Sequence, residues 1–126
     1  MIQINKLSHI LNIVFMEINK KLLKVLRIAD WSFNTTYVPL TLGYTNVYED
    51  QTTCFVNLNF RIDSVVANTN TILISGLPIP IVRQTFIGMV SSTPVRLYID
   101  EQGNLKTDTA NIQTGWVSAN ITYPLK

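Results

Sequence analysis

One histidine, His9, and one cysteine, Cys54, limit the chemistry open to this 126-residue chain. A Ser/His/Asp or Cys/His relay needs a base held against a nucleophile, and a multi-histidine metal site needs more than one imidazole. His9 has no second candidate near it, so neither is expected. A lone cysteine excludes an intrachain disulfide, and within an alternating stretch Cys54 reads as a buried, inert thiol rather than a nucleophile. The paired acids Asp100-Glu101 and Glu49-Asp50 lie at turns, where such residues serve the backbone. A glycosidase needs two carboxylates facing each other across roughly 5–10 Å, and nothing in the spacing of Glu49, Asp50 and Asp63 requires them to converge. No glycine loop cradles phosphate, and no loop has the 12-residue ligand spacing of a calcium motif. The chain is therefore expected not to be an enzyme and to need no cofactor or metal.

Binding is the chemistry that remains. Flat aromatic rings stack on sugar faces, while amides and carboxylates take the hydroxyl groups. "DWSFNTTY" (30–37) and "YTNVYEDQ" (44–51) have that composition. Trp31, Tyr44, Tyr48 and Asp50 are the candidate contacts. Trp31 has a second reading, as packing where the opening segment meets the rest of the chain. Trp116 reads more readily as core or interface packing.

The composition sets the frame for these residues. Apolar residues make up 47% and charged residues 14%, which suits a folded chain with part of its surface covered by a partner. A net charge of +2 is too small to imply a nucleic-acid partner. The charge and texture change near residue 29. Residues 1–29 hold five basic groups and one acid, and contain no glycine or proline. Residues 30–126 hold five basic and seven acidic groups, with all five glycines and all five prolines. "LSHILNIVFM" (7–16) is an uncharged run of ten, half the length of a membrane span of about 20 residues. It also lacks the flanks of a signal peptide.

The first 29 residues read as a helix. Ile4, Leu7, Leu11, Val14, Ile18, Lys21, Val25 and Ile28 are spaced 3-4-3-4-3-4-3, a heptad seam with one miss at Lys21. β-branched residues occupy both seam classes, which favours three strands over two. The apolar face is widened by Ile10, Ile13, Phe15 and Met16, so a helix packed on its own domain also satisfies the pattern, as does a membrane-surface helix.

From residue 31 the period is two. "CFVNLNFRI" (54–62) places Val56, Leu58, Phe60 and Ile62 on one face and Asn57, Asn59 and Arg61 on the other. Further strands are expected at 71–75, 84–90 with a bulge at Gly88, 95–100, 105–107 and from Trp116 onwards. In that last strand Val117, Ala119, Ile121 and Tyr123 face inward. "TTYVPLTL" (35–42) and "TNVYE" (45–49) add two more. "DEQGN" (100–104) is a hairpin turn with Gly103 at positive φ, and the prolines of "GLPIP" (76–80) mark a loop or sheet edge. Six to eight short strands indicate a mainly β domain, 30–126, built as an antiparallel β-sandwich or jelly roll behind a helical segment, 1–29.

A helical seam, then "ISGLPIP" (74–80), then "VRLYIDEQGNLKTDTANIQTGWVSANITYPLK" (95–126) resembles the C-terminal knob (head) domain of phage tail-fibre and baseplate receptor-binding proteins of Gram-positive hosts. The resemblance covers residues 55–126 and lies in the pattern of an LP loop, an I-D-x-x-G-N-L hairpin and a G-W-V-S strand. It carries no receptor site residue by residue. It implies a homotrimer on the virion, at the tail, baseplate or capsid surface, whose knobs adhere to host cell-surface saccharide. Such proteins are longer ahead of the knob. The opening segment itself is thus expected to dock to other virion proteins, in a minor fibre or surface appendage, unless the chain is a fragment. Two other readings stay open: a capsid or baseplate decoration protein without a host ligand, and a cellular carbohydrate-binding module.

Overall fold

The computed structural model describes residues 27–28, 30–39 and 43–126. The described protein is mainly β, a single curled antiparallel sheet. In chain order its strands are β1 (Arg27–Ile28), β2 (Ser32–Phe33), β3 (Asn46–Glu49), β4 (Thr53–Ile62), β5 (Ile72–Ser75), β6 (Gln84–Val90), β7 (Thr93–Ile99), β8 (Leu105–Thr107) and β9 (Gly115–Pro124). Across the sheet the order is β1-β3-β4-β9-β6-β7-β8-β5-β2. The seam positions Ile4, Leu7, Leu11, Val14, Ile18 and Val25, with His9, lie outside the described residues. Ile28, the last seam position, belongs to a strand: it pairs with Tyr48 as Arg27 pairs with Glu49. Among the described residues no helix is long and apolar enough to cross a membrane.

The alternation seen in the sequence carries over directly into β4. Cys54, Val56, Leu58, Phe60 and Ile62 are buried, and Phe55, Asn57, Asn59 and Arg61 are exposed. β4 pairs with β9 over ten rungs, from Thr53↔Pro124 to Ile62↔Gly115. The core gathers the inward face of this ladder with Leu73, Ile74, Leu97, Ile99 and Leu105 from the far strands. Each such aliphatic side chain contributes about 1.5–3 kcal/mol on burial.

One ladder runs through all nine strands, where two separate sheets were expected. Curling gives it two facing layers. β2 and β4 are six places apart in the sheet, yet the Phe33 and Phe60 ring centroids are 5.4 Å apart. The edges β1 and β2 are also neighbours in sequence, and the few residues between Ile28 and Ser32 can reach no more than roughly 14 Å. A turn ties the two layers together: Asp63, just past β4, donates its amide to the Tyr37 carbonyl, just past β2, at 2.8 Å.

That turn replaces the expected strand at 35–42, whose residues 40–42 lie outside the described set. Asn34 captures the backbone there. Its Oδ1 accepts from the Thr36 amide at 3.1 Å, and its carbonyl accepts from the amides of Tyr37 and Val38. Its Nδ2 reaches the Ile72 carbonyl at 2.8 Å, fixing the turn to β5. An Asx side chain competing for amides in this way ends a strand before it starts. Gly88 makes no bulge either. It pairs in register with Val95, and it is small because a Cβ there would approach Leu97 and Ala119 at 3.2 and 3.4 Å. The irregularity occurs instead between Ile72 and Ile74, where β5 shifts against β8.

The 100–104 hairpin is as expected. Asp100 Oδ1 accepts from the amides of Gln102 (3.0 Å) and Asn104 (2.9 Å), and Oδ2 pairs with Lys106 Nζ at 2.8 Å. Gly103 has φ +84, and a Cβ there would collide with the Leu77 carbonyl oxygen. Both the left-handed backbone, costing about 1–2 kcal/mol for an L-residue, and this contact exclude a side chain. Gly103→Ala should therefore lower unfolding stability by roughly 2–4 kcal/mol, read as a drop in urea midpoint at unchanged slope.

Candidate functional site

The outward face of β3, β4 and β9 is built from consecutive rungs. Tyr48 lies opposite Phe55, and Phe55 opposite Thr122. The next rung is Asn46, Asn57 and Asn120. Further along come Asn59 opposite Ser118 and Arg61 opposite Trp116. Cross-strand partners stand about 4.5–5.5 Å apart at Cβ, and successive rungs on one face about 6.6–6.8 Å apart along the strand. Tyr48, Phe55, Asn57, Asn120 and Thr122 line a shallow groove of about 170 Å³. Its rings are open to solvent, Tyr48 at 39% and Phe55 at 46% exposed.

The asparagines of the fold divide into two sets. Four of the nine described side-chain amides hold turns or neighbouring strands. Asn34, Asn70 and Asn104 bond to Ile72, Tyr98 and Asp100, and Asn46 donates to the Tyr44 carbonyl. Among the described residues, neither the Asn57 nor the Asn120 amide has a hydrogen-bond partner in the chain. Nor is the groove charged. Arg61 at the far end is paired with Asp63 at 2.9 Å. The arrangement offers two aromatic faces beside two neutral, bidirectional hydrogen-bonding groups.

The sequence candidates divide. Tyr48 is in the groove. Tyr44 lies four residues back along the chain, 76% exposed, with its amide bonded to the Asn59 carbonyl. Asp50 turns the β3–β4 hairpin at the other end: its Oδ1 accepts from the amides of Thr52 (2.8 Å) and Thr53 (2.7 Å). Trp31 does not join them. It meets Phe33 edge-on at 4.9 Å and packs against the core, its second reading in the sequence. Trp116 is 39% exposed on the outward face rather than in the core. Phe55, Asn57 and Asn120 were not singled out. Their signal was parity, because each occupies the wet side of an alternating strand.

Two other hollows are less suited to a ligand. One of about 330 Å³ lies between the β6–β7 turn and residues 109–114, lined by aliphatic and hydroxyl groups and the amides of Asn111 and Gln113, with no aromatic ring or charge. The other, about 230 Å³, holds Arg83, Tyr98, Asp100 and Lys106, but these groups are spent on one another. Arg83 covers the Tyr98 ring at 3.5 Å and reaches Asp108, and Lys106 is held by Asp100. Among the described residues no three His, Cys, Asp or Glu side chains converge.

Cys54 is buried, and loss of hydration pushes its thiol up to about 11. It should resist a thiol-specific reagent at pH 8 in the native protein and react within seconds in denaturant, a contrast visible by mass spectrometry. Asp50 has its carboxyl pulled below the ordinary value of 3.8, first by the Thr52 amide and then by that of Thr53. Since the folded state holds the charged form, the stabilisation is present above pH 3.8 and is lost as pH falls through the lower folded value. Asp50→Ala should thus be less stable than the parent at pH 7, with the gap closing towards pH 2 in urea titrations. Compared with known proteins, the chain matches no family model and no curated protein.

Proposed function

We propose that this chain is the knob of a phage fibre or baseplate spike that adheres to host cell-surface saccharide. In this reading the curled sheet is the jelly-roll-like sandwich of the knob. The segment ahead of β1 is a coiled-coil stem joining three copies and docking to other virion proteins. The observation that carries the binding role is the outward rung Tyr48–Phe55 beside the unspent amides of Asn57 and Asn120. Rings supply apolar contact to a pyranose face, and amides satisfy its hydroxyls in either direction. The groove is shallow, so each site is weak, and a trimer compensates through avidity.

A second reading has its own support. Ile79, Ile81 and Val82 in the loop before β6, with Ile87 and Met89 on its outward side, are exposed. Exposed aliphatic side chains, where they gather into one patch, are commonly covered by a neighbouring protein. A structural decoration protein would use it to bind the particle and would need no glycan.

A glycan array probed with the whole chain separates the two. Adhesion predicts specific saccharide binding that falls roughly tenfold, about 1.4 kcal/mol, in Tyr48→Ala and in Phe55→Ala. Their unfolding midpoints should stay close to the parent's, since both sites are exposed. Absence of any saccharide binding would leave the decoration reading. Light scattering tests the stem: the whole chain should run as a trimer of the 14.3 kDa protomer, and a version beginning at Arg27 as a monomer. A monomeric whole chain would remove the stem.

A further inference from the structure

We infer that the outward face of β4 and β9 selects an N-acetylated amino sugar, with the acetamido group held between Asn57 and Asn120. The inference rests on the saccharide-binding reading and narrows it to one ligand chemistry.

The two asparagines are direct cross-strand partners. Both are exposed, and neither amide is used by the described chain. Each carries a donor and an acceptor. An acetamido group carries the same pair on opposite edges of a planar amide. Two side-chain amides about 5 Å apart at Cβ can flank it, one donating from Nδ2 to the acetyl oxygen and the other accepting the N–H at Oδ1. A plain hydroxyl would leave half of that capacity unmet.

The neighbouring rung supplies the rest of the match. Tyr48 and Phe55 lie about 6.6–6.8 Å along the strands from the amides, so an acetyl methyl or the sugar's apolar face directed that way meets a ring. Thr122 completes the rung with a hydroxyl. The groove lining is uncharged. The nearest basic group on β4, Arg61, is about 13 Å further along the strand and is engaged by Asp63. An anionic polymer would find no counter-charge in the groove, and a cationic amino sugar no carboxylate.

Three trisaccharides with one backbone linkage test this on the whole chain by titration calorimetry or NMR: the β1-4 trimers of N-acetylglucosamine, glucosamine and glucose. The acetylated trimer should bind at least roughly tenfold more tightly than either of the others. Asn57→Asp and Asn120→Asp keep the side-chain shape but remove the donor. Together they should abolish that preference. Two carboxylates facing each other across the strands also lower the unfolding midpoint. The single variants, with one charge each and a midpoint close to the parent's, therefore serve as the folded control, and each should weaken the preference. Equal binding of the glucose trimer would overturn the acetamido assignment and leave saccharide binding standing. Preference for the glucosamine trimer, or an acetylated-trimer affinity untouched by the double variant, would overturn it too. If none of the three binds, the assignment falls, and the glycan array decides separately whether the knob contacts saccharide.

Discussion

The register of β4 against β9 is the constraint on which everything else depends. Side chains alternate with period two, so a slip of one residue would turn the whole inward set outward. Cys54, Val56, Leu58, Phe60 and Ile62 would meet water, and the asparagines between them would enter the core. Each misplaced aliphatic would lose about 1.5–3 kcal/mol, and each buried, unpaired amide would add a cost of its own. The same ten rungs that fix the core therefore also set Asn57 beside Asn120 and Phe55 beside Thr122. Core and candidate site are two faces of one pairing, and neither can shift without the other.

Curling is held by polar contacts at the rim. Asn34 and Tyr37 tie the β2 side to β5 and to the end of β4. Tyr123 donates its hydroxyl to the Pro78 carbonyl at 2.8 Å, and Gly103 accepts from the Leu77 amide at 3.0 Å. Both bonds secure the proline loop, which cannot supply a full set of amides of its own. Pro80 bridges Leu125, and Ile81 donates to the Pro124 carbonyl, so the loop continues the sheet along the end of β9. The prolines therefore occur where an edge is needed.

What was legible in the sequence was local. The alternation at 54–62, the strands at 84–90 and 105–107, and the glycine of the 100–104 turn follow from spacing and side-chain type alone. Pairing was not legible, because the partner of β4 is found some sixty residues later and nothing in either strand names the other. The 35–42 stretch looked like a strand because its composition is β-prone, but Asn34 takes the amides first. By parity Tyr98 falls on the outward side of β7, yet it is buried: Arg83 from another element lies over its ring, and its hydroxyl donates to Asn70 Oδ1 at 2.6 Å. Phe55 is legible from parity alone, as a ring on the wet side of an alternating strand, and carries none of the turn-like composition that marks Tyr44 and Tyr48. Trp31 sits among polar neighbours in the sequence, yet its ring packs on Phe33 and the core.

The placement of charge bears on how such a face could work. In the far half of the sheet the ions neutralise one another: Arg83 and Arg96 converge on Asp108, and Lys106 on Asp100. Burial works against the Asp100 carboxylate, but Lys106, Asn104 and Gln102 outweigh it and hold its affinity for protons below the ordinary carboxylate level. These charges are thus committed to the hairpin, and they lie on strands remote from the Tyr48–Phe55 rung. A face without free charge gains little from long-range steering, which depends on unscreened potential. Under the proposed adhesion it would have to recognise its ligand by contact, through ring faces and amide geometry. Contact recognition in a shallow groove gives weak single sites, and weak sites serve adhesion only when several engage one surface together. The neutrality of the groove and the proposed threefold assembly are therefore linked: the first removes the electrostatic route to strong attachment, and the second supplies another.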